Sequence, residues 1–131
     1  MTVAITEYTT KFGREITGLC SGWLRSLPSS SKRVIPVWLK RGTMTFPENP
    51  TPLIMVGPGT GVAAFRSVIQ ERASTGQKLV LIFGCRSKDD DYYYEDEWQK
   101  LIDGDSDRQP ANLTVITAFS RENPSEGKTY V

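Results

Sequence analysis

The sequence predicts an α/β fold, a partial parallel sheet of three strands with intervening helices, preceded by a smaller unit of short strands and turns. Three observations carry this reading. The apolar runs LIMV, LVLIFG and LTVITAF alternate with stretches of helical spacing, which is the pattern of a parallel sheet with crossover connections. A glycine turn, GPGTG, links the first run to the helix after it. The segment RGTMTFPENPTP, rich in Pro, Gly and Asn, marks a boundary near residues 47–51 and divides the chain into residues 1–50 and 51–131.

The elements follow in order. Residues 2–9 alternate apolar and polar side chains and read as a strand, and residues 11–15 read as a turn around Gly13. GLCSGWLRSL predicts a short helix beginning near Cys20 or Ser21, with Trp23, Leu24 and Leu27 on one side. PSSSKR is a loop by composition, and VIPVWLK is strand-like, with Pro36 restricting it to an edge or bulge. Residues 53–56 are a short buried strand, and residues 63–72 a helix with Phe65, Val68, Ile69 and Arg72 spaced for one face. Residues 79–84 form a continuous apolar run, expected of a parallel strand covered on both faces. Residues 95–102 complete a second helix and residues 113–119 a third strand. A further helix is expected beyond that strand, so the reading is that part of the domain lies outside these 131 residues.

Composition narrows the function. The 131 residues, 38% hydrophobic, are enough for a working core. Sixteen Lys and Arg stand against 15 Asp and Glu for a net charge of +1, so no broad basic field collects nucleic acid or an anionic membrane, and any anion site is local. The absence of histidine removes imidazole bases, His-containing triads and imidazole metal ligands. Cys20 and Cys85 lie far apart and make no CxxC pair, so no metal site is expected and a reduced, intracellular chain is. No leader segment is read at the N-terminus, and no run approaches the roughly 18 apolar residues of a membrane span.

The ends of the three sheet strands carry the chemistry. In an open parallel sheet ligands bind beyond the carboxyl ends of the strands, and the first strand-to-helix turn receives phosphate. Gly57, Gly59 and Gly61 let backbone approach an anion, Thr60 adds a hydroxyl, and the following helix aims its free amides into the gap. The turn matches neither GxGxxG nor the P-loop, since Val62 closes both patterns, and a tight structural loop is the alternative. The second strand ends in FGCRS and the third in AFSR, which adds Cys85, Arg86, Ser120 and Arg121 at the same edge, with Lys128 and Tyr130 shortly after. Ser, Arg and Lys donors suit a 2'-phosphate, and no acid closes the second strand to take a ribose hydroxyl, so NADP is expected over NAD.

Together GPGTGVAAF, FGCR, YYYEDEW and AFSRENPSEGKTY resemble the NADP-binding domain of the ferredoxin-NADP reductase superfamily, in its diflavin reductase branch. The wording FPENPTPLIMVGPGTGV is most similar to the diflavin reductases that serve cytosolic iron-sulfur protein assembly; cytochrome, methionine synthase and sulfite reductase flavoproteins are the neighbouring alternatives. The resemblance implies that residues 1–50 are the tail of an antiparallel FAD-binding β-barrel. Tyr8 would lie against the FAD adenine, and Gly18, Leu19, Cys20 and Ser21 would hold the FAD pyrophosphate; an ordinary helix cap is the alternative for that turn. Residues 51–131 would begin the NADP-binding domain. Gly59, Thr60 and Arg86 would meet the pyrophosphate, and Ser120, Arg121, Lys128, Thr129 and Tyr130 the 2'-phosphate and adenine. Cys85 would stand near the nicotinamide, or is a small buried thiol. Ala64 departs from the family, which usually has proline there. DDDYYYEDEW reads as an acidic helix start with a buried aromatic side, or as a docking surface for a partner protein.

The activity implied is that of a cytoplasmic NADPH-dependent flavin oxidoreductase, passing electrons from NADPH through FAD and FMN to an acceptor protein. The FMN domain, the isoalloxazine-binding motif and the residues shaping hydride transfer have no counterpart in the sequence, so no catalytic residue is assigned. The alternative is a non-catalytic product that binds nucleotide or a partner.

Overall fold

The computed structural model describes residues 1–28, 35–122, 127 and 129–131. Chain contacts divide it into two units, Met1–Met44 and Thr45–Val131.

In the first unit, β1 (Glu7–Thr9) and β2 (Glu15–Thr17) form an antiparallel hairpin with Tyr8 opposite Ile16. Gly13 sits at φ 78°, and the turn closes with the Thr10 amide donating to the Arg14 carbonyl at 2.8 Å. The strand expected over residues 2–9 is therefore confined to its last three residues, and its partner is a strand that the sequence reading does not contain, beginning at the last residue of the expected turn. Helix α1 (Leu19–Ser26) follows, starting one residue earlier than expected. VIPVWLK forms no strand over residues 35–40, where Val37, Trp38 and Leu39 are largely exposed. Pro36 withholds a donor there, and a strand exists only where a neighbour accepts its hydrogen bonds.

In the second unit, β3 (Leu53–Val56), β4 (Leu79–Cys85) and β5 (Leu113–Phe119) form a parallel sheet in the order β3-β4-β5. Leu53 pairs with Leu79 and Leu79 with Leu113, which brings the strand starts level. A 3-10 turn, Gly59–Gly61, runs into α2 (Val62–Arg72); α3 (Lys88–Asp91) is a single turn, and α4 (Glu95–Asp103) leads back to β5. The core lies on one face of the sheet, where Met55, Leu81 and Phe83 meet Val62 and Ile69 of α2 and Trp98 and Leu101 of α4. The opposite face carries Ile54, Val56 and Ile116, all largely exposed. The expectation that β4 is covered on both faces fails for this reason. Its residues alternate between buried and half-buried, because both α2 and α4 pack on the same side.

The two helices are tied together. Arg66 of α2 grips both carboxylate oxygens of Glu97 on α4, at 2.8–3.0 Å, and lies 4.7 Å over the Tyr94 ring. Gln70 donates to the same carboxylate. Phe65 is partly buried against the core between Val62 and Ile69, as the helical spacing requires.

Candidate functional site

The carboxyl ends of the three sheet strands converge on one cleft. At the first, β3 ends at Val56 and the chain turns through GPGTG. The three glycines have different jobs. Gly59 alone takes a left-handed conformation, at φ 53°, and a Cβ there would meet nothing within 4 Å. At Gly57 a Cβ would come within 2.9 Å of the Phe65 ring and 3.0 Å of the Val62 backbone, so that glycine allows α2 to start hard against the strand. Gly61 is in ordinary helical conformation at φ −61°. Of the three glycines expected to let backbone approach an anion, only Gly59 uses left-handed backbone. Among the described residues the Gly59 and Thr60 amides donate to no carbonyl, whereas Gly61 donates to Pro58 and Val62 closes the turn onto Gly59 and Thr60. Two free amides at the positive end of a helix fit an anion.

At the other two ends the ladder continues beyond the regular strands. The Ser120 amide donates to the Cys85 carbonyl at 2.9 Å and the Arg121 amide to the Arg86 carbonyl at 2.8 Å, which brings FGCRS and AFSR side by side. Gly84 pairs with Ala118, and the missing side chain at Gly84 makes room for Val131: a Cβ there would stand 3.0 Å from the Val131 side chain. The resulting cleft, about 230 Å³, is lined by Gly59, Arg86, Ser120, Thr129 and Tyr130 together with Cys85 and Asp91. It thus gathers five of the residues expected to hold NADP. Thr60 lies one residue from its wall and Arg121 is exposed beside Ser120, forming no ion pair among the described residues. Lys128 lies outside the described residues.

Asp91 is a residue that sequence reasoning assigned elsewhere, to a helix dipole. It is 7% exposed, and its carboxylate accepts the Arg86 amide at 2.8 Å, the Ser87 amide at 3.1 Å and Arg86 Nε at 2.9 Å. Burial works to raise its pKa, but the Arg86 side chain and the two amides outweigh burial and hold it below the ordinary 3.8. Three more acids of the run are engaged within the unit: Asp90 accepts from the Ser87 hydroxyl, Glu95 pairs with Lys88 and Glu97 with Arg66. The aromatics pack inward, with Phe83 and Tyr92 stacked at 5.5 Å. These contacts favour the structural account of DDDYYYEDEW. The only sequence signal for Asp91 was an acid five residues after an arginine at a strand end, a spacing without meaning until the chain turns back at α3.

Cys85 is buried, and its thiol donates to the Ser87 carbonyl at 3.8 Å. Burial, then the charges of Asp91 and Glu122, push its pKa up to about 11. Because the thiolate is the nucleophile, iodoacetamide at about pH 8 is expected to modify exposed Cys20 and spare Cys85 in the folded chain. Mass spectrometry of the two peptides checks this, and equal labelling would contradict it. The raised pKa also sets a pH window: the contribution of the neutral thiol to stability is complete below about 9 and is lost as pH rises toward about 11.

In the first unit Gly18 precedes α1, and a Cβ there would approach Ser21 Oγ to 2.6 Å. The Ser21 hydroxyl is occupied in accepting the Thr6 amide at 3.1 Å, and the Gly18 amide donates to the Thr6 carbonyl at 2.8 Å. What this turn leaves for an anion is the first-turn backbone of Leu19, Cys20 and Ser21; Leu19 and Cys20 are exposed. Tyr8 lines a separate groove along the hairpin.

Residues 55–131, more than half the chain, match the oxidoreductase NAD-binding domain. The chain belongs to that family. Members similar to it include NADPH-dependent diflavin oxidoreductase 1 of Xenopus laevis, 47% identical over 98% of this chain and 20% of that protein. The Arabidopsis thaliana protein of the same name is 41% identical over the whole chain and 22% of its own length. NADPH-cytochrome P450 reductase of Aspergillus niger is 49% identical over 74% of the chain and 14% of its own length. The chain thus spans about a fifth of the diflavin oxidoreductases it matches. Among solved structures, ferredoxin-NADP+ reductase from Plasmodium falciparum with 2'P-AMP superposes at a TM-score of 0.60, 19% identical, over 97% of this chain and 49% of that one. This oxidoreductase NAD-binding domain therefore has the ferredoxin-NADP reductase type of fold, with a small antiparallel sheet before it. No helix among the described residues is long and apolar enough to cross a membrane, and no group of three or more acidic, cysteine or histidine side chains among them could hold a metal ion.

Proposed function

We propose that the second unit binds NADPH and the first contributes to an FAD site, in a protein that passes electrons from NADPH through FAD and FMN to an acceptor protein. The observation that carries this reading is the single cleft in which Gly59, Arg86, Ser120, Thr129 and Tyr130 converge at the carboxyl ends of the strands. Residues 51–131 are the start of the NADP-binding domain and residues 1–50 the end of the FAD-binding barrel. The names of the relatives support NADPH as the donor and a two-flavin carrier.

When bound, NADPH supplies a hydride from nicotinamide C4 to flavin N5. The Gly59 and Thr60 amides and Arg86 hold the pyrophosphate; Ser120, Arg121 and Lys128 supply hydrogen-bond donors and charge to the 2'-phosphate; Tyr130, exposed at the rim, and Thr129 receive the adenine end. On the FAD side, Gly18, Leu19, Cys20 and Ser21 present a helix start to the pyrophosphate and Tyr8 an aromatic face to the adenine. These residues bind and orient the nucleotides. The acceptor in iron-sulfur protein assembly and the cytoplasmic location belong to the same proposal and rest on the sequence resemblance.

The test is calorimetric titration of the chain with NADP+, NAD+, 2'-phospho-AMP and AMP. NADP+ is expected to bind more tightly than NAD+, and 2'-phospho-AMP more tightly than AMP; equal binding within each pair would overturn the site. The turn is checked separately. Gly59→Ala meets no atom but forces an L side chain to φ 53°, at about 1–2 kcal/mol in stability, and weakens NADP+ and NAD+ alike while sparing 2'-phospho-AMP, which has no pyrophosphate. Thr60→Ala keeps the amide and is expected to cost about 0.5–1.5 kcal/mol in binding, without changing the preference between nucleotides.

A further inference from the structure

Asp91 is the one buried carboxylate among the described residues, and every hydrogen bond its carboxylate accepts comes from Arg86 or Ser87. Its Oδ1 accepts both backbone amides and shapes the turn from β4 into α3. Its Oδ2 takes the Arg86 side chain by Nε at 2.9 Å. That grip uses one edge of the guanidinium. Among the described residues the two terminal nitrogens, Nη1 and Nη2, donate to nothing, and the Arg86 side chain is half exposed at the wall of the cleft.

We propose that Asp91 is a positioning residue for the nucleotide: it fixes the Arg86 guanidinium by its Nε edge so that the terminal nitrogens face an incoming phosphate. The inference rests on the reading of the cleft as an NADP site and names what makes Arg86 effective there. Two effects of the carboxylate oppose each other. Its charge offsets that of Arg86 and lowers the attraction for an anion; its grip removes the side-chain freedom that binding would otherwise have to remove, and a planar fork held in place can donate two parallel bonds. An arginine remains charged in any case, so orientation is what Asp91 adds. The two effects predict opposite signs when the carboxylate is neutralised.

Asp91→Asn separates them. The asparagine oxygen can still accept the Arg86 and Ser87 amides, so the turn is kept, while its amide nitrogen cannot accept from Arg86 Nε. Dissociation constants of NADP+ and NAD+ are measured by calorimetry on the 131-residue chain and its variants, with circular dichroism reporting the fold. Asp91→Asn is expected to weaken NADP+ by about three- to tenfold, and NAD+ by the same factor, because Arg86 is placed at the pyrophosphate common to both. Arg86→Ala is expected to weaken binding more, and adding Asp91→Asn to it should change nothing further, since a residue acting through Arg86 has no effect without it. Unchanged or tighter binding by Asp91→Asn, or a loss that simply adds to that of Arg86→Ala, would overturn the proposal.

Arg86→Lys tests the same idea with Asp91 intact, should Asp91→Asn fail to fold. A lysine held by Asp91 has no fork to present and should lose as much affinity as Arg86→Ala; recovery by lysine would show that charge alone suffices and overturn the proposal. If the wild-type chain binds NADP+ and Arg86→Ala costs nothing, the placement of Arg86 in the proposed site fails, and this inference with it. If Arg86→Ala weakens binding and Asp91→Asn does not, only this inference fails. No binding of NADP+ by the wild-type chain would overturn both.

Discussion

Replacing Arg121 by alanine is expected to weaken NADP+ by one to two decades and to leave NAD+ unchanged. The Arg121 backbone is held beside Arg86 by the 2.8 Å bond from its amide to the Arg86 carbonyl, while the side chain is exposed and forms no ion pair among the described residues. It is thus a cation on an anchored backbone with its charge uncommitted, next to Ser120 in the cleft wall. A charge-assisted bond to a phosphate contributes about 1.5–3 kcal/mol, which is the stated loss in affinity, and NAD+ lacks the phosphate that would collect it. Arg86 differs in that Asp91 already holds one edge of it, so its loss should affect both nucleotides. Calorimetric titration of Arg121→Ala with NADP+, NAD+ and 2'-phospho-AMP decides the matter: 2'-phospho-AMP should weaken with NADP+, and equal losses for NADP+ and NAD+ would move Arg121 away from the 2'-phosphate.

Trp98→Ala is expected to destabilise the second unit by about 3–5 kcal/mol, a large part of the roughly 5–15 kcal/mol that holds a domain folded. Trp98 is 1% exposed in the core between α4 and the sheet. Its indole Nε1 donates to the Tyr93 carbonyl at 2.9 Å, and Tyr94 meets it edge-on at 5.9 Å between ring centroids. Truncation therefore leaves a cavity, strands a carbonyl and removes an aromatic contact of the YYY segment. Urea unfolding followed by circular dichroism measures the loss; a change below about 1 kcal/mol would mean that the core around α4 is not packed as described. Trp98→Phe keeps the apolar volume in large part but not the hydrogen bond, and should fall between the wild type and alanine.

Much of the second unit was legible in the sequence because its signals are local. LIMV and LTVITAF were placed at Leu53–Val56 and Leu113–Phe119, and the helix over residues 63–72 is extended by one residue at its start. The misses were non-local. Three-residue strands are too short to show a period, so the partner strand Glu15–Thr17 is absent from the sequence reading. VIPVWLK has strand composition, and its described residues 35–40 form no strand, since a ladder depends on a neighbour as well as on propensity. The aromatic and acidic run read as one helix start, but Tyr94, at φ 66°, separates α3 from α4.

For the candidate site, the residue types were legible and their division of labour was not. The sequence alone determined that glycine, serine and arginine donors would stand at the ends of three parallel strands, because strand position and turn chemistry are set by neighbours along the chain. Only the tertiary structure decided which of these groups are free to meet a ligand. Gly59 bends into left-handed backbone while Gly57 makes room for α2, and Gly84 makes room for Val131. Arg86 is gripped by a carboxylate five residues on, and Arg121 is left with its charge uncommitted among the described residues. The reason is physical: a donor's availability depends on every acceptor that folding brings within about 3 Å of it, and those acceptors come from chain segments whose spacing in sequence carries no information about their distance in space.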